Sequence, residues 1–147
     1  MIIVGADGSA PSRAAVEWAA DDAARMSLPL RIVHVMDTSW YLVGRRPGAA
    51  LPGALLSEGQ RILREAEELA RERQPSVRVS TKEVEGAPAE VLREQAGDAA
   101  ELLVGSRGRG GFAGALLGSV STDVAGQTHC PVVVVRAEPR PRIRSTR

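Results

Sequence analysis

The sequence predicts an α/β fold, a doubly wound, five-stranded parallel sheet with helices on both faces. Four short runs are almost continuously apolar, which is typical of strands covered on both faces: residues 1–4, 32–36, 102–104 and 132–135. Segments with helical periodicity separate most of these runs. The resulting order, βαβαβαβαβ, favours right-handed crossovers and a parallel sheet.

The first strand is followed by a turn, Asp7-Gly8-Ser9, and then by a helix. Ser9 suits the N-cap position, and Pro11 suits the first helical turn. The apolar face of this helix, which we expect to be buried, consists of Ala15, Trp18, Ala19, Ala23 and Met26. Residues 30–36 then form the second strand.

Residues 37–52 are expected to form a loop that is either a flap over a ligand or a disordered crossover. The longest helix spans residues 54–73, and its apolar stripe consists of Leu55, Leu56, Gly59, Ile62, Leu63, Ala66, Leu69 and Ala70. Residues 77–82 alternate between apolar and polar, which predicts a strand at a half-exposed edge. A third helix begins near Pro88, with Val91, Leu92 and Ala96 facing inward.

A glycine- and arginine-rich loop follows the fourth strand, and a helix over about residues 119–127 leads from it to the last strand. Glycine leaves no β-carbon in the way of a ligand, and a helix N-terminus attracts anions. Ser119, Ser121 and Thr122 add hydroxyl donors to that first helical turn. From its composition, the loop is either a phosphate cradle or a flexible connection.

The spacing of Gly105, Gly108 and Gly118-Ser119 resembles the nucleotide-binding signature of the universal stress protein family, in its ATP-binding branch. The chain start is also similar to that family, with a strand that leads into Asp7 and Ser9. The resemblance covers residues 1–137 and implies one Rossmann-like domain with strand order 3-2-1-4-5. Such a sheet binds ligands at the switch point between strands one and four.

The resemblance also implies an ATP site, with Mg²⁺ carried on the phosphates. Asp7 would lie near the ribose and Val35 against the adenine, whereas the structural alternatives are a turn-forming aspartate and a core valine. The residues that match the family's contacts, with their immediate neighbours, are Ala6, Asp7, Ser9, Val35, Gly105, Arg107, Gly108, Gly118, Ser119, Val120 and Ser121.

The resemblance favours a nucleotide-binding regulatory module rather than a fast enzyme. Lys82 is the only lysine, so no Gly-Lys-Ser/Thr phosphate loop exists. We expect His34 to be a hydrogen-bonded sheet residue and Cys130 to be a small buried hydrophobe. The alternatives are an adenine-nucleotide-using enzyme, such as a slow ATPase or an adenylating enzyme, and a stress protein that acts by protein contacts alone.

Composition bounds the remaining expectations. The chain has 147 residues, a net charge of +1 and one cysteine, which indicates one domain in a reducing, cytoplasmic compartment and disfavours nucleic acid and membrane partners. Residues 138–147 hold four arginines and two prolines, and we expect this tail to be disordered. In the implied strand order, Val132–Val135 is an outer strand without charge, which favours a homodimer through this strand. The alternative is that the tail covers it.

Overall fold

The computed structural model describes residues 1–37, 53–106 and 130–136. Over these ranges the chain forms β1 (Ile2–Gly5), α1 (Ala10–Met26), β2 (Leu30–Met36), α2 (Gly53–Arg73), β3 (Val79–Glu85), α3 (Pro88–Gln95), β4 (Glu101–Gly105) and β5 (Val132–Val135). All adjacent strands are parallel, and the sheet order is β3-β2-β1-β4-β5. The predicted fold and strand order are therefore confirmed.

Apolar clusters cover both faces of the sheet. On one face, α1 and α2 pack over alternate strand residues such as Val4, Ile32 and Leu103. On the other face, α3 packs over the intervening residues, such as Val33 and Val104. Because both faces are buried, β1 and β4 have no solvent-facing side and their sequences read as continuous apolar runs.

Small residues bring α1 close to the sheet. Ser9 caps the helix, since its side chain accepts a hydrogen bond from the Ser12 N–H, and Pro11 lies in the first turn, as predicted. The buried residues of α1 are Ser12, Ala15, Val16, Ala19, Ala20 and Ala23. The expectation that Trp18 and Met26 are buried is wrong, because both are exposed. The small alanine side chains let α1 lie close to the sheet, and the bulky Trp18 and Met26 lie outside that contact.

The predicted bounds of the later elements need small corrections. The helix expected over residues 54–73 begins at Gly53, and Leu56, expected in its buried stripe, is exposed. The strand expected over residues 77–82 is Val79–Glu85, at the predicted sheet edge. In α3, Val91 and Leu92 are buried, as is Ala96 just beyond the helix, as expected.

The sheet reverses its winding between β1 and β4. From β1 the chain crosses by α1 and α2 to β2 and β3, whereas α3 carries it back across the other face to β4. This reversal is the topological switch point at which open α/β sheets bind ligands. The loop beyond Asp37, the helix expected over residues 119–127 and the tail 138–147 lie outside the described residues.

Candidate functional site at the carboxyl edge of the sheet

Parallel strands end at one edge of a sheet, and β1, β2 and β4 therefore bring their following residues together. Ala6, Asp7 and Ser9 follow β1, Val35 lies near the end of β2, and Gly105 ends β4. The predicted site residues that the structure describes thus meet at the switch point. The other six, Arg107, Gly108, Gly118, Ser119, Val120 and Ser121, lie outside the described residues.

The turn after β1 is held by hydrogen bonds around Asp7. The Asp7 Oδ1 atom accepts hydrogen bonds from the Ser9 backbone N–H at 2.9 Å and from the Ser9 hydroxyl at 2.5 Å. Gly8 lies between them with a φ of 83°, a left-handed conformation that favours glycine. Asp7 is therefore a turn-forming aspartate whose carboxylate has a fixed orientation at the mouth of the switch point.

Ser12 and Arg13 complete this turn, and the sequence analysis missed both. The Ser12 hydroxyl is buried and accepts a hydrogen bond from the Asp7 N–H at 2.9 Å. The Arg13 guanidinium donates to the Gly8 carbonyl at 2.7 Å. The signal for Ser12 was available, because it is a hydroxyl on the otherwise apolar face of α1. The sequence offers no comparable signal for Arg13.

Gly105 has a structural role that its position in the glycine signature did not reveal. A β-carbon at this position would lie 2.7 Å from the Pro11 carbonyl carbon and 2.7 Å from the Ser12 nitrogen. Glycine is therefore required for the first turn of α1 to lie against the end of β4. Next to it, the Ser106 N–H donates to the Val135 carbonyl at 2.8 Å and extends the pairing of β4 with β5.

Ala6 and Val35 contribute small and apolar surfaces. The Ala6 N–H donates to the Val33 carbonyl at 2.8 Å, so Ala6 extends the pairing of β1 with β2, and its side chain is buried. Val35 is also largely buried and belongs to the cluster on the α3 face. The burial of Val35 and its place in this cluster fit the alternative interpretation, a core contact. Its expected contact with adenine stays a prediction.

His34 is paired on the opposite face of the sheet from Val35. Its Nδ1 atom lies 2.9 Å from Glu83 Oε2, in the next strand, and the two side chains are only 11% and 22% exposed. Gly59 of α2 makes room for this pair, because a β-carbon there would lie 1.7 Å from Glu83 Oε2. His34 is therefore a hydrogen-bonded sheet residue, as predicted. Cys130 is buried in the α3-side cluster, also as predicted.

Residues 1–37, 53–106 and 130–136 contain no group of three or more histidine, cysteine, aspartate or glutamate side chains that could hold a metal ion. No helix within those ranges is long and apolar enough to span a bilayer. A cavity of about 350 Å³ is lined by residues that include Ser27, Ser76 and Arg78, just before β2 and β3 begin. It therefore lies at the amino ends of the strands, away from the switch point.

The model of the universal stress protein family matches residues 1–136. A universal stress protein of Mycolicibacterium smegmatis is 42% identical over 137 residues, which are 92% of this chain and 45% of that protein. A universal stress protein of Mycobacterium tuberculosis is 39% identical over 137 residues, which are 92% of this chain and 44% of that protein. The chain spans about half the length of the curated relatives it matches.

Solved structures of universal stress proteins have the same fold. The crystal structure of a universal stress protein in complex with cAMP is 30% identical, has a TM-score of 0.71, and is matched over 93% of this chain and 97% of that chain. The structure of the universal stress protein from Archaeoglobus fulgidus in complex with dAMP is 21% identical, with a TM-score of 0.69 over 91% and 95% of the two chains. Because the family model matches residues 1–136 of the 147 and the sheet has the same fold as these solved structures, this chain belongs to the universal stress protein family.

Proposed function

We propose that this chain binds an adenine nucleotide at the carboxyl ends of the strands. In this proposal it acts as a regulatory module that signals by whether the nucleotide is bound. The observation that carries the proposal is the convergence of Asp7, Ser9 and Gly105 at the switch point. The solved universal stress protein that is 30% identical to this chain is in complex with cAMP, an adenine nucleotide. This complex supports the same class of ligand for the present chain. ATP is the ligand that we propose, with Mg²⁺ bound to its phosphates.

The turn after β1 supplies a ribose contact in this proposal. A carboxylate accepts hydrogen bonds from sugar hydroxyls, and two hydrogen bonds from Ser9 already orient that of Asp7. Because the orientation exists before binding, little side-chain entropy is lost when the ribose arrives. Ser12 also fixes the Asp7 backbone before binding, because its hydroxyl accepts a hydrogen bond from the Asp7 N–H.

The phosphates would lie against the segment that follows β4. Gly105 fixes where this segment begins, since it ends β4 directly beside the first turn of α1. We propose that Arg107, Gly108, Gly118, Ser119, Val120 and Ser121 hold the phosphates through backbone N–H groups, hydroxyls and one guanidinium. Val35 would form the adenine wall.

Calorimetric titration with ATP, ADP, AMP and cAMP, with and without Mg²⁺, tests the proposal. We expect ATP to bind most tightly and Asp7→Asn to weaken every nucleotide by roughly tenfold, because the charged acceptor is lost. Gly118→Val should abolish ATP binding in a folded protein, since a branched side chain would occupy the phosphate position. Gly53→Val is the matched control, because no atom lies within 4 Å of the added β-carbon.

Two results would contradict the proposal at different levels. Absence of binding for all four nucleotides at millimolar concentration would remove the nucleotide function. Wild-type ATP affinity in folded Gly118→Val would be compatible with nucleotide binding but would contradict the proposed phosphate-binding role of the segment after β4. Native mass spectrometry of protein purified without added nucleotide provides an independent check, because a tightly held ATP would appear as added mass.

We further propose that two copies of the chain pair through β5. This strand is at the edge of the described sheet, and Val134 is exposed. The N–H groups of Leu102, in β4, and of Ser106, just after it, donate to the Pro131 and Val135 carbonyls. Pro131, Val135 and, by alternation, Val133 therefore direct their carbonyls toward β4. Val134 therefore directs its N–H and carbonyl away from β4, where a second β5 could pair with them.

A further inference from the structure

The edge strand β3 carries basic side chains on the face of the sheet that α3 covers elsewhere. Val79 is buried in the cluster beneath α1 and α2, whereas Val84 packs against the cluster on the α3 face. Because side chains alternate along a strand, Ser80 and Lys82 lie on the same face as Val84. Both are exposed, so α3 leaves this part of the face open to solvent.

Two arginines join Lys82 on this face. The Arg78 carbonyl accepts a hydrogen bond from the Leu30 N–H at 2.9 Å, so Arg78 extends the pairing of β3 with β2 and shares the face of Ser80. In β2, Arg31 is the register partner of Ser80. Neighbouring strands lie about 4.8 Å apart, and alternate residues of one strand about 7 Å apart. Arg31, Arg78 and Lys82 therefore surround Ser80, and we call these three residues the β3 basic cluster.

The β3 basic cluster lacks a neutralising partner. In the part of the chain that the structure describes, none of its three side chains forms an ion pair, although α3 brings Glu90 and Glu94 to the same side of the sheet. Outside the described ranges the sequence holds only two carboxylate side chains, Asp123 and Glu138. Like charges this close repel each other, so a bound anion would stabilise the cluster.

The outer side of β3 also offers backbone hydrogen-bonding groups. This strand is the last in the described sheet, beside β2. The Gly86 N–H donates to the Met36 carbonyl, and Arg78 pairs with β2 as well, so the even-numbered residues direct their backbone groups toward β2. Thr81 and Glu83 therefore direct their N–H and carbonyl groups away from it. An extended chain can pair with such an edge.

We propose that β3 binds an extended acidic segment of a partner protein, which adds to the sheet as a further strand. The outer backbone groups supply hydrogen bonds, and the β3 basic cluster attracts carboxylates at alternate positions of the segment. The other face of β3 carries Glu83 and Glu85, so the intervening positions of the segment should be neutral. A second copy of this chain is a poor partner, because pairing two β3 strands would bring their basic clusters together.

Fluorescence anisotropy with two labelled peptides tests the proposal. One peptide alternates Glu with Thr over about eight residues, and in the control peptide Lys replaces each Glu. We expect only the acidic peptide to bind, and Arg78→Glu to weaken its binding by roughly tenfold, because an attractive charge becomes a repulsive one. Arg64→Glu makes the same substitution on the exposed surface of α2 and should keep the wild-type affinity.

Thr81→Pro distinguishes strand addition from attraction between charges alone. It removes an N–H that points away from β2, a change that edge strands tolerate, and affinity for the acidic peptide should fall by roughly tenfold. Thr81→Ala keeps this donor and should bind as the wild type does, and circular dichroism checks that both variants fold. Amide hydrogen exchange of the wild type needs no variant: the N–H groups of Thr81 and Glu83 should gain protection when the acidic peptide binds.

Several results would overturn the proposal. One is absence of binding of the acidic peptide, and another is equal binding of the two peptides. A third is binding without protection of Thr81 and Glu83, which would indicate a surface for polyanions in general. A fourth is self-association of the protein alone that Thr81→Pro abolishes, which would make a second copy the occupant of this edge. None of these measurements involves a nucleotide, so the result is separate from the test of the proposed function.

Discussion

Gly105, at the end of β4, lies against Pro11 in the first turn of α1, so closely that a β-carbon would come within 2.7 Å of the Pro11 carbonyl carbon. This contact joins the two segments that flank the switch point. The proposed ribose contact, from Asp7, and the start of the proposed phosphate segment are therefore positioned by one backbone approach. Changing either side of the contact should affect both stability and binding.

Gly105→Ala should destabilise the domain by about 1–3 kcal/mol, because the backbone of α1 must move to admit the methyl group. ATP affinity should fall as well, since the same movement displaces Ser12 and with it the Asp7 turn. Urea unfolding and calorimetry measure the two effects. Gly53→Ala is the control and should be neutral or slightly stabilising, because its β-carbon meets no atom. Equal stability of both variants would show that α1 does not pack this closely.

Ser9→Ala should reduce the free energy of unfolding by about 1 kcal/mol, since it removes the N-cap of α1. It also removes the hydroxyl that donates to Asp7 Oδ1, so nucleotide affinity should fall along with stability. Thermal unfolding and titration with ATP measure the two changes. In the exposed part of α2, Ser57→Ala should leave both unchanged or slightly raise stability. A Ser9→Ala protein with wild-type affinity would show that the orientation of Asp7 is not used in binding.

Val134→Pro should convert the proposed homodimer to a monomer without unfolding the domain. Proline removes the N–H of Val134, which by alternation along β5 points away from β4, and edge strands tolerate this change. Light scattering at high micromolar concentration measures the mass, and circular dichroism checks the fold. Val134→Ala retains the backbone donor and should remain dimeric. A monomeric wild-type protein at that concentration would remove the proposed pairing.

ATP turnover by the purified protein should be far below the ~10 s⁻¹ typical of enzymes. In the described part of the chain, His34 is engaged with Glu83 on the α2 face of the sheet and lies outside the proposed site. A steady-state phosphate-release assay with Mg²⁺ tests this prediction. Turnover near 10 s⁻¹ that is lost in Asp7→Ala would place the protein among enzymes instead.

The sequence alone identified those helices and strands whose local residue pattern has a single structural explanation. Continuous apolar runs predicted the central strands, because a strand buried on both faces cannot alternate. Ser9 and Pro11 predicted the start of α1 through the hydrogen-bonding needs of a helix terminus. The strand order and the nucleotide class followed from the resemblance of the glycine signature and the Asp7 turn to a known family.

Tertiary structure decided which residues meet, because those contacts join segments far apart in the chain. Trp18 is as apolar as a core residue, yet it is exposed, because the distance of α1 from the sheet is set by its alanines. The glycine signature marked Gly105 as a ligand-facing residue, whereas its close contact with Pro11 requires α1 to lie over β4. The contact of His34 with Glu83 likewise exists only because β2 and β3 pair in the sheet, and no local period in the sequence encodes it.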